Sequence, residues 1–268
     1  MFADRLKVAI ILVPVGIGAI AAGGWVFTGF IALLLGLAAW EYWRMFTGGK
    51  IYPVMWILVP GAVLLAVARF LWGFNFSDLI LSGLALAAMA AHTVFCEQGR
   101  TTPATDFGAT VGGIIYLGFL GSYLVSLRFI PGGMWWLLLA IPTVAIGDAG
   151  AFFIGRKFGK HKLAPNVSPQ KTVEGYFGGV LFAILGGALL GLLWGLRLAD
   201  ITPLRGLILG IILGVLTPLG DLGESMLKRQ FGIKDTGRIF PGHGGVMDRM
   251  DSWIWGAVIS YYVITWFY

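Results

Sequence analysis

The chain has 268 residues, of which 58% are hydrophobic and 12% are charged, and its formal net charge is +6. Soluble domains carry about twice this charged fraction, so the composition excludes a disordered chain and an ordinary soluble enzyme. The single cysteine, Cys96, excludes an internal disulfide and a cysteine-based metal cluster. We assign the positive charge to membrane topology and anionic lipid, and not to a nucleic-acid partner.

Apolar segments close to the length that crosses a bilayer, about 20 residues, follow one another along the chain. They cover residues 8–27, 28–46, 51–72, 77–96, 108–129, 134–155, 175–196, 203–222 and 252–268. This pattern predicts an all-α polytopic membrane protein with about nine transmembrane helices. We expect an N-terminal region of about five helices, 1–130, and a C-terminal catalytic region, 131–268.

The basic residues separate by side when nine spans are assumed. Fifteen of the 19 lie on the side of the N-terminus, and four lie on the other. Those four are Arg69, Arg128, Arg197 and Arg205. Because cytoplasmic loops are rich in Lys and Arg, this predicts a cytoplasmic N-terminus and an external C-terminus.

Two glycine series have four-residue spacing, which places each series on one helix face. They are Gly187, Gly191 and Gly195, and Gly206, Gly210 and Gly214. Small residues let membrane helices approach closely, so we predict close packing between the seventh and eighth segments.

Two polar loops, at about 156–174 and 223–251, both fall on the predicted cytoplasmic side. If the eighth segment continues as a helix, Asp221, Glu224, Ser225 and Lys228 share one face. Asp148 lies inside the sixth segment, where we expect it to be buried and functional.

Asp248 and Asp251 stand at the predicted start of the last helix. A carboxylate at this place also stabilises a helix N-terminus, so capping is the alternative interpretation for both residues.

Carboxylates without thiols or clustered histidines suit a hard cation such as Mg²⁺. The Lys and Arg residues around them suit phosphate oxygens, and metal-bridged phosphate is usual in nucleotide chemistry. A P-loop motif is absent from the sequence, which disfavours a P-loop ATPase. His92 and His161 are interpreted as structural. His243 is a candidate base, phosphate donor or turn residue.

Residues 225–251 read SMLKRQFGIKDTGRIFPGHGGVMDRMD. This stretch resembles the signature of the phosphatidate cytidylyltransferases, in which S-x-x-K-R precedes K-D and the motif ends in H-G-G-x-x-D-R-x-D. Residues 168–175, SPQKTVEG, resemble the family's S-P-K-K-T-x-E-G, with Gln170 in place of a lysine. Asp148 and Asp221 also resemble family positions.

The resemblance implies Mg²⁺-dependent attack of phosphatidate on CTP at the cytoplasmic face of a membrane, with release of pyrophosphate. It also implies a two-metal centre, with Mg²⁺ and K⁺ as the candidate pair. The candidate metal ligands are Asp221 and Asp248, with Asp148, Asp251 and Glu224 as further candidates. The other candidate catalytic residues are Lys228, Arg229, His243 and Arg249. The candidate substrate-binding residues are Ser168, Lys171, Thr172, Glu174, Ser225, Lys234, Asp235, Gly244 and Gly245.

Other functions share part of this pattern. A polyprenol or phytol kinase, or a cytidylyltransferase acting on ether lipids, would use the same metal and nucleotide chemistry on another lipid. An ion or metabolite transporter would also carry intramembrane carboxylates. We expect a prokaryotic inner-membrane location, and we consider a homodimer as one assembly of the chain.

Overall fold

The computed structural model describes residues 2–237, 239 and 244–268. Over these residues the chain is mostly α-helical, with one β-hairpin and one π-helical stretch. The elements are α1 (Phe2–Ala22), α2 (Gly24–Gly48), α3 (Met55–Trp72), α4 (Ser77–Glu97), α5 (Pro103–Gly113), the π-helical stretch Ile114–Leu120, α6 (Tyr123–Phe129), α7 (Gly133–Phe158), β1 (Lys162–Ala164), β2 (Ser168–Thr172), α8 (Val173–Gly195), α9 (Pro203–Leu216), α10 (Pro218–Gln230) and α11 (Met247–Phe267).

Seven helical segments within the described residues are long and apolar enough to cross a membrane. They are Gly24–Gly48, Met55–Trp72, Ser77–Glu97, Pro103–Phe129, Gly133–Phe158, Val173–Gly195 and Pro203–Gln230. Two further helices, α1 and α11, overlie the first and last segments predicted from sequence. The predicted class, a helical integral membrane protein, is confirmed.

The boundary between the first two segments was predicted wrongly. The chain breaks at Gly23, where φ is 62°, and not after Phe27. Gly24 also has a positive φ, of 50°. Glycine adopts a backbone of positive φ without steric cost, so it ends α1 and allows α2 to begin.

Proline sets two other helix limits. The fifth predicted segment begins at Pro103 and not at Gly108, because proline is favoured in the first turn of a helix. The eighth segment is interrupted at Thr217, since Pro218 has no N–H to continue the hydrogen-bond series. The chain resumes as α10, which carries the polar residues from Asp221 to Lys228.

The chain divides into two compact units. The first contains Met1–Ser126 and Phe231–Met250, and the second contains Leu127–Gln230 and Asp251–Tyr268. In the first unit α2, α3 and the π-helical stretch bury Leu35, Leu58 and Leu117 completely.

In the second unit the glycine series pack helix against helix, as predicted. A methyl group at Gly187 would overlap the carbonyl oxygen of Gly206, and one at Gly210 would overlap that of Ala183. At Gly191 an added Cβ would lie 2.6 Å from the carbonyl oxygen of Thr202. The backbones of α8 and α9 are therefore in direct contact, which only residues without a side chain permit.

Candidate active site

The first predicted polar loop is a folded hairpin. Strands β1 and β2 pair antiparallel, with Lys162 opposite Thr172 and Ala164 opposite Ser168. At the end of β2 the Thr172 side chain accepts a hydrogen bond from the Gly175 N–H at 3.1 Å and so caps α8. The candidate substrate-binding residues Ser168, Lys171 and Thr172 thus stand on a strand joined directly to a membrane helix.

Glu174 anchors the base of this hairpin. Its carboxylate accepts the Lys160 N–H at 3.0 Å and the His161 N–H at 3.2 Å. It also lies 2.6 Å from His161 Nδ1. At the hairpin turn, Arg229 Nε donates to the carbonyl oxygen of Val167 at 3.1 Å. The bonds to Lys160 and His161 involve both carboxylate oxygens of Glu174.

Asp221 forms the centre of a polar cluster in the second unit. Its Oδ2 accepts a hydrogen bond from Lys171 Nζ at 2.8 Å, and its Oδ1 accepts one from the Ser252 hydroxyl. The side chains of Asp221 and Lys171 are 27% and 28% exposed, so the ion pair is only partly buried. An ammonium group beside Asp221 shows that this carboxylate attracts a cation.

Two further carboxyl groups belong to this cluster. Asp251, at the start of α11, lies close enough to Asp221 and Glu224 for their negative charges to repel one another. Glu224 is fully buried, and Lys228 Nζ lies 3.2 Å from its Oε1. Because ionised carboxylates repel one another, such a group needs nearby protons or cations to be stable.

A cavity of about 450 Å³ opens beside Asp221 within the second unit. Apolar residues of α7, α8 and α9 form one part of its wall. Its polar lining comes from Asp148, Arg156, Ser168, Gln170, Lys171, Thr172, Thr217 and Asp221. The predicted residues Asp148, Ser168, Lys171, Thr172 and Asp221 therefore surround one space.

Asp148 differs from its prediction in one respect. We expected a buried side chain, but Asp148 is exposed at the cavity. Asp148 lines this cavity together with Arg156, Lys171 and Asp221.

Asp248 lies at the start of α11 in the first unit. Its Oδ2 accepts hydrogen bonds from the Thr236 N–H at 2.9 Å, the Thr236 hydroxyl at 3.0 Å and the Gly245 N–H at 2.7 Å. Gly244 has a φ of +83°, and an added Cβ there would lie 2.6 Å from the same oxygen. The glycines of this segment thus bring backbone groups close to one of the protein's own carboxylates.

Sequence reasoning missed Glu41, which reaches the same residues from α2. Its side chain is fully buried, and its Oε2 accepts the Met247 N–H at 2.9 Å and lies 3.1 Å from the Thr236 hydroxyl. The criterion applied to Asp148, an ionisable residue inside an apolar segment, would have selected Glu41 as well.

The other predicted residues are placed as follows. Lys234, Asp235 and Arg249 are exposed, and Ser225 is partly buried on α10. His243 lies outside the described residues. His92 is buried with its Nε2 2.9 Å from the Thr110 hydroxyl, which agrees with a structural role.

The carboxylates of the candidate site suit a hard cation that is held by few protein ligands. No set of three or more His, Cys, Asp or Glu side chains in the described part of the chain is arranged as a metal site. Mg²⁺, however, is usually held by one or two carboxylates together with water and substrate phosphates. Asp221 and Asp251 supply this kind of donor in the second unit, and Asp248 supplies it in the first.

A family model described as "Cytidylyltransferase family" matches residues 3–267. The chain belongs to this family. It is 31% identical to a phosphatidate cytidylyltransferase of Synechocystis sp., over 97% of this chain and 96% of that protein. A phosphatidate cytidylyltransferase of Brucella suis is 32% identical, over 96% of this chain and 91% of that protein. One from Mycobacterium bovis is 31% identical over 83% of this chain. The family predicted from the motif at 225–251 is confirmed, and the first two of these relatives match nearly the whole chain.

Proposed function

We propose that this protein is a phosphatidate cytidylyltransferase, which converts CTP and phosphatidate into CDP-diacylglycerol and pyrophosphate. The observation that carries the proposal is the match to relatives of that name over nearly the whole chain. Those matches include the membrane helices that would face a lipid acceptor as well as the polar segments.

In this reaction a phosphate oxygen of phosphatidate attacks the α-phosphorus of CTP. A new phosphorus–oxygen bond forms, the bond from the α-phosphorus to the β-bridging oxygen breaks, and pyrophosphate leaves with the electron pair. The attacking oxygen is anionic at neutral pH, so the reaction needs positioning and charge neutralisation more than a strong base. This need matches a site that contains lysines, arginines and carboxylates.

We propose Asp221 and Asp248 as the ligands of Mg²⁺, with Asp251, Glu224 and Asp148 as further candidates and K⁺ as a candidate second cation. Bound Mg²⁺ would neutralise the CTP phosphates and the departing pyrophosphate. The ion pair between Lys171 and Asp221 supports this assignment, since it shows a cation beside the proposed ligand.

The basic residues would offset the repulsion between two polyanionic substrates. Lys171 and Arg156 line the cavity, where the Ser168 side chain adds a hydroxyl group. Lys228 and Arg229 stand on α10, with Lys228 held by Glu224. We propose that the cavity receives a phosphate group, with the cationic side chains binding its oxygens.

We propose nine spans with the N-terminus in the cytoplasm, the C-terminus outside and the active site at the cytoplasmic face of a prokaryotic inner membrane. The unequal distribution of basic residues, 15 against four, supports this orientation. Soluble CTP would then enter from the cytoplasm while phosphatidate keeps its acyl chains in the bilayer.

Two labelled forms of CTP test the reaction. The purified protein in detergent is given phosphatidate, Mg²⁺ and CTP labelled at either the α- or the γ-phosphate. Cytidylyl transfer places only the α-label in lipid and releases the γ-label as pyrophosphate. A γ-label in lipid would instead show a lipid kinase, and no label in lipid would move the proposal to another acceptor.

A further inference from the structure

Glu41 is a buried carboxylate in the apolar helix α2. The reaction described above gives it no role. Burying such a group is costly unless hydrogen bonds compensate for its lost hydration. In the described part of the chain its Oε2 receives the Met247 N–H and the Thr236 hydroxyl, whereas its Oε1 is buried without a hydrogen-bond partner. Because burying this carboxylate is unfavourable, we expect Glu41 to have a function that an apolar residue such as leucine could not provide.

The position of the Glu41 carboxylate leaves no space for a side chain at Gly237 or Gly245. An added Cβ at Gly237 would overlap Glu41 Oε1, and one at Gly245 would overlap Oε2. Both glycines belong to the motif at 225–251, and here they admit a side chain of the same protein. We call Glu41, Thr236, Gly237, Gly245 and Met247 the Glu41 anchor.

The Thr236 hydroxyl connects this anchor to Asp248. It lies 3.1 Å from Glu41 Oε2 and 3.0 Å from Asp248 Oδ2. A hydroxyl group carries one hydrogen, so it donates to only one of these carboxylates at a time. The hydroxyl therefore links the two carboxylates: it can donate to Glu41 Oε2 while the Thr236 and Gly245 N–H groups keep donating to Asp248 Oδ2.

We propose that Glu41 is a positioning residue for the metal-binding carboxylate Asp248. It fixes the segment around Thr236 and Met247 from α2 and accepts the Thr236 hydrogen when Asp248 binds a cation. This role rests on the proposed function, in which Asp248 is a magnesium ligand. Groups that orient a ligand in this way change metal affinity by about ten- to a hundredfold when they are removed.

The test measures Mn²⁺ binding to the full-length protein in detergent by electron paramagnetic resonance, and the Mg²⁺ concentration that gives half-maximal turnover. Glu41→Ala and Thr236→Val should each weaken Mn²⁺ binding by about tenfold or more and raise that Mg²⁺ concentration. Their effects should not add in the double variant, because both remove the same connection. Glu41→Gln keeps an acceptor oxygen for Met247 and Thr236 and should remain close to the wild type.

Arg69→Met is the matched control. Arg69 is 4% exposed in α3 of the same unit, and its guanidinium lies 3.5 Å from the ring centroid of Phe74. Its replacement should lower the melting temperature without a change in Mn²⁺ affinity. If Glu41→Ala fails to fold, Thr236→Val alone carries the test.

Two results would overturn the proposal: unchanged Mn²⁺ affinity in a folded Thr236→Val protein, or no Mn²⁺ binding by the wild type. Failure of the reaction itself is distinguishable from both. A wild-type protein that binds Mn²⁺ in a Glu41-dependent manner but leaves the α-label of CTP out of lipid contradicts the cytidylyl transfer and retains the role of Glu41.

Discussion

Single carboxylates carry most of the functional information in this chain, because each is costly in an apolar surrounding. Asp221 combines an ion pair to Lys171 with a hydrogen bond from Ser252, and it lines a cavity. A carboxylate that served only to hold α10 in place would not need to face open space. Its placement at the cavity supports a direct part in the reaction.

Replacing Asp221 by asparagine tests that part. The amide keeps the shape of the side chain but loses the charge that attracts Mg²⁺ and holds Lys171. Turnover should fall by about a hundredfold or more, the magnitude typical of losing one preorganised electrostatic group. Label transfer from CTP to lipid measures it, and circular dichroism checks folding. Asp200→Asn, at an exposed residue between α8 and α9, is the control and should keep normal activity.

Helical spacing was enough to place part of the site. The face that carries Asp221, Glu224 and Lys228 was predicted from intervals of three and four residues, and α10 is a helix over this stretch. The contact between Glu41 and Thr236 joins residues 195 positions apart. One sequence contains no periodic signal for such a pairing, so the tertiary fold was needed to find it.

Among the secondary-structure elements, the hairpin of β1 and β2 was not predicted from the sequence, which indicated only a polar loop. Its strands are short, at three and five residues, and its polar composition is typical of an open loop. Hydrogen bonds to neighbouring helices order the hairpin. Glu174 of α8 accepts one at its base, and Arg229 of α10 donates one at its turn. The candidate substrate-binding residues Ser168, Lys171 and Thr172 are thereby held on a fixed strand.

Glu174→Ala should loosen this hairpin. The N–H groups of Lys160 and His161 would lose their acceptor, so hydrogen exchange across residues 160–172 should become faster. We expect turnover to drop by roughly tenfold, since mispositioned binding groups lower the rate even far from the chemistry. Glu97→Gln, at the exposed end of α4, is the control. Unchanged exchange in Glu174→Ala would contradict the anchoring role.

The glycine series make a separate prediction for α8 and α9. A methyl group at Gly206 would overlap the carbonyl oxygen of Gly187, so Gly206→Ala must push the helices apart. Overpacking of this kind costs about 1–3 kcal/mol. The melting temperature in detergent should therefore decrease by roughly 2–10 °C. Gly29→Ala in α2 adds a methyl group where nothing lies within 4 Å and should leave it unchanged. Equal melting temperatures for both variants would contradict direct backbone packing.

For the whole molecule, we predict the orientation from the distribution of charge. The predicted number of spans and the predicted side of each loop rest on hydropathy and on the positions of Lys and Arg. The division into two units, with residues 231–250 joined to the first, did not follow from them. In the structure Phe231 packs its ring 4.7 Å from that of Phe46, a contact that local sequence does not encode.

Cys96 offers a direct test of the orientation. It is exposed at the end of α4, on the side that we propose to be cytoplasmic. A thiol reagent that cannot cross membranes should label it in inside-out vesicles and leave it unlabelled in right-side-out vesicles. In a Cys96→Ser background, Asp200→Cys should show the opposite pattern. Labelling of Cys96 from the outside would reverse the proposed topology.

The most direct test of the central claim is mass spectrometry of the lipid product. The purified protein is given Mg²⁺, CTP and phosphatidate whose phosphate carries heavy oxygen. We predict CDP-diacylglycerol that retains every heavy oxygen, because phosphatidate supplies the attacking atom, together with an equal amount of pyrophosphate. A lipid product with an added phosphate instead of CMP, or one that has lost a heavy oxygen, would contradict cytidylyl transfer by this route.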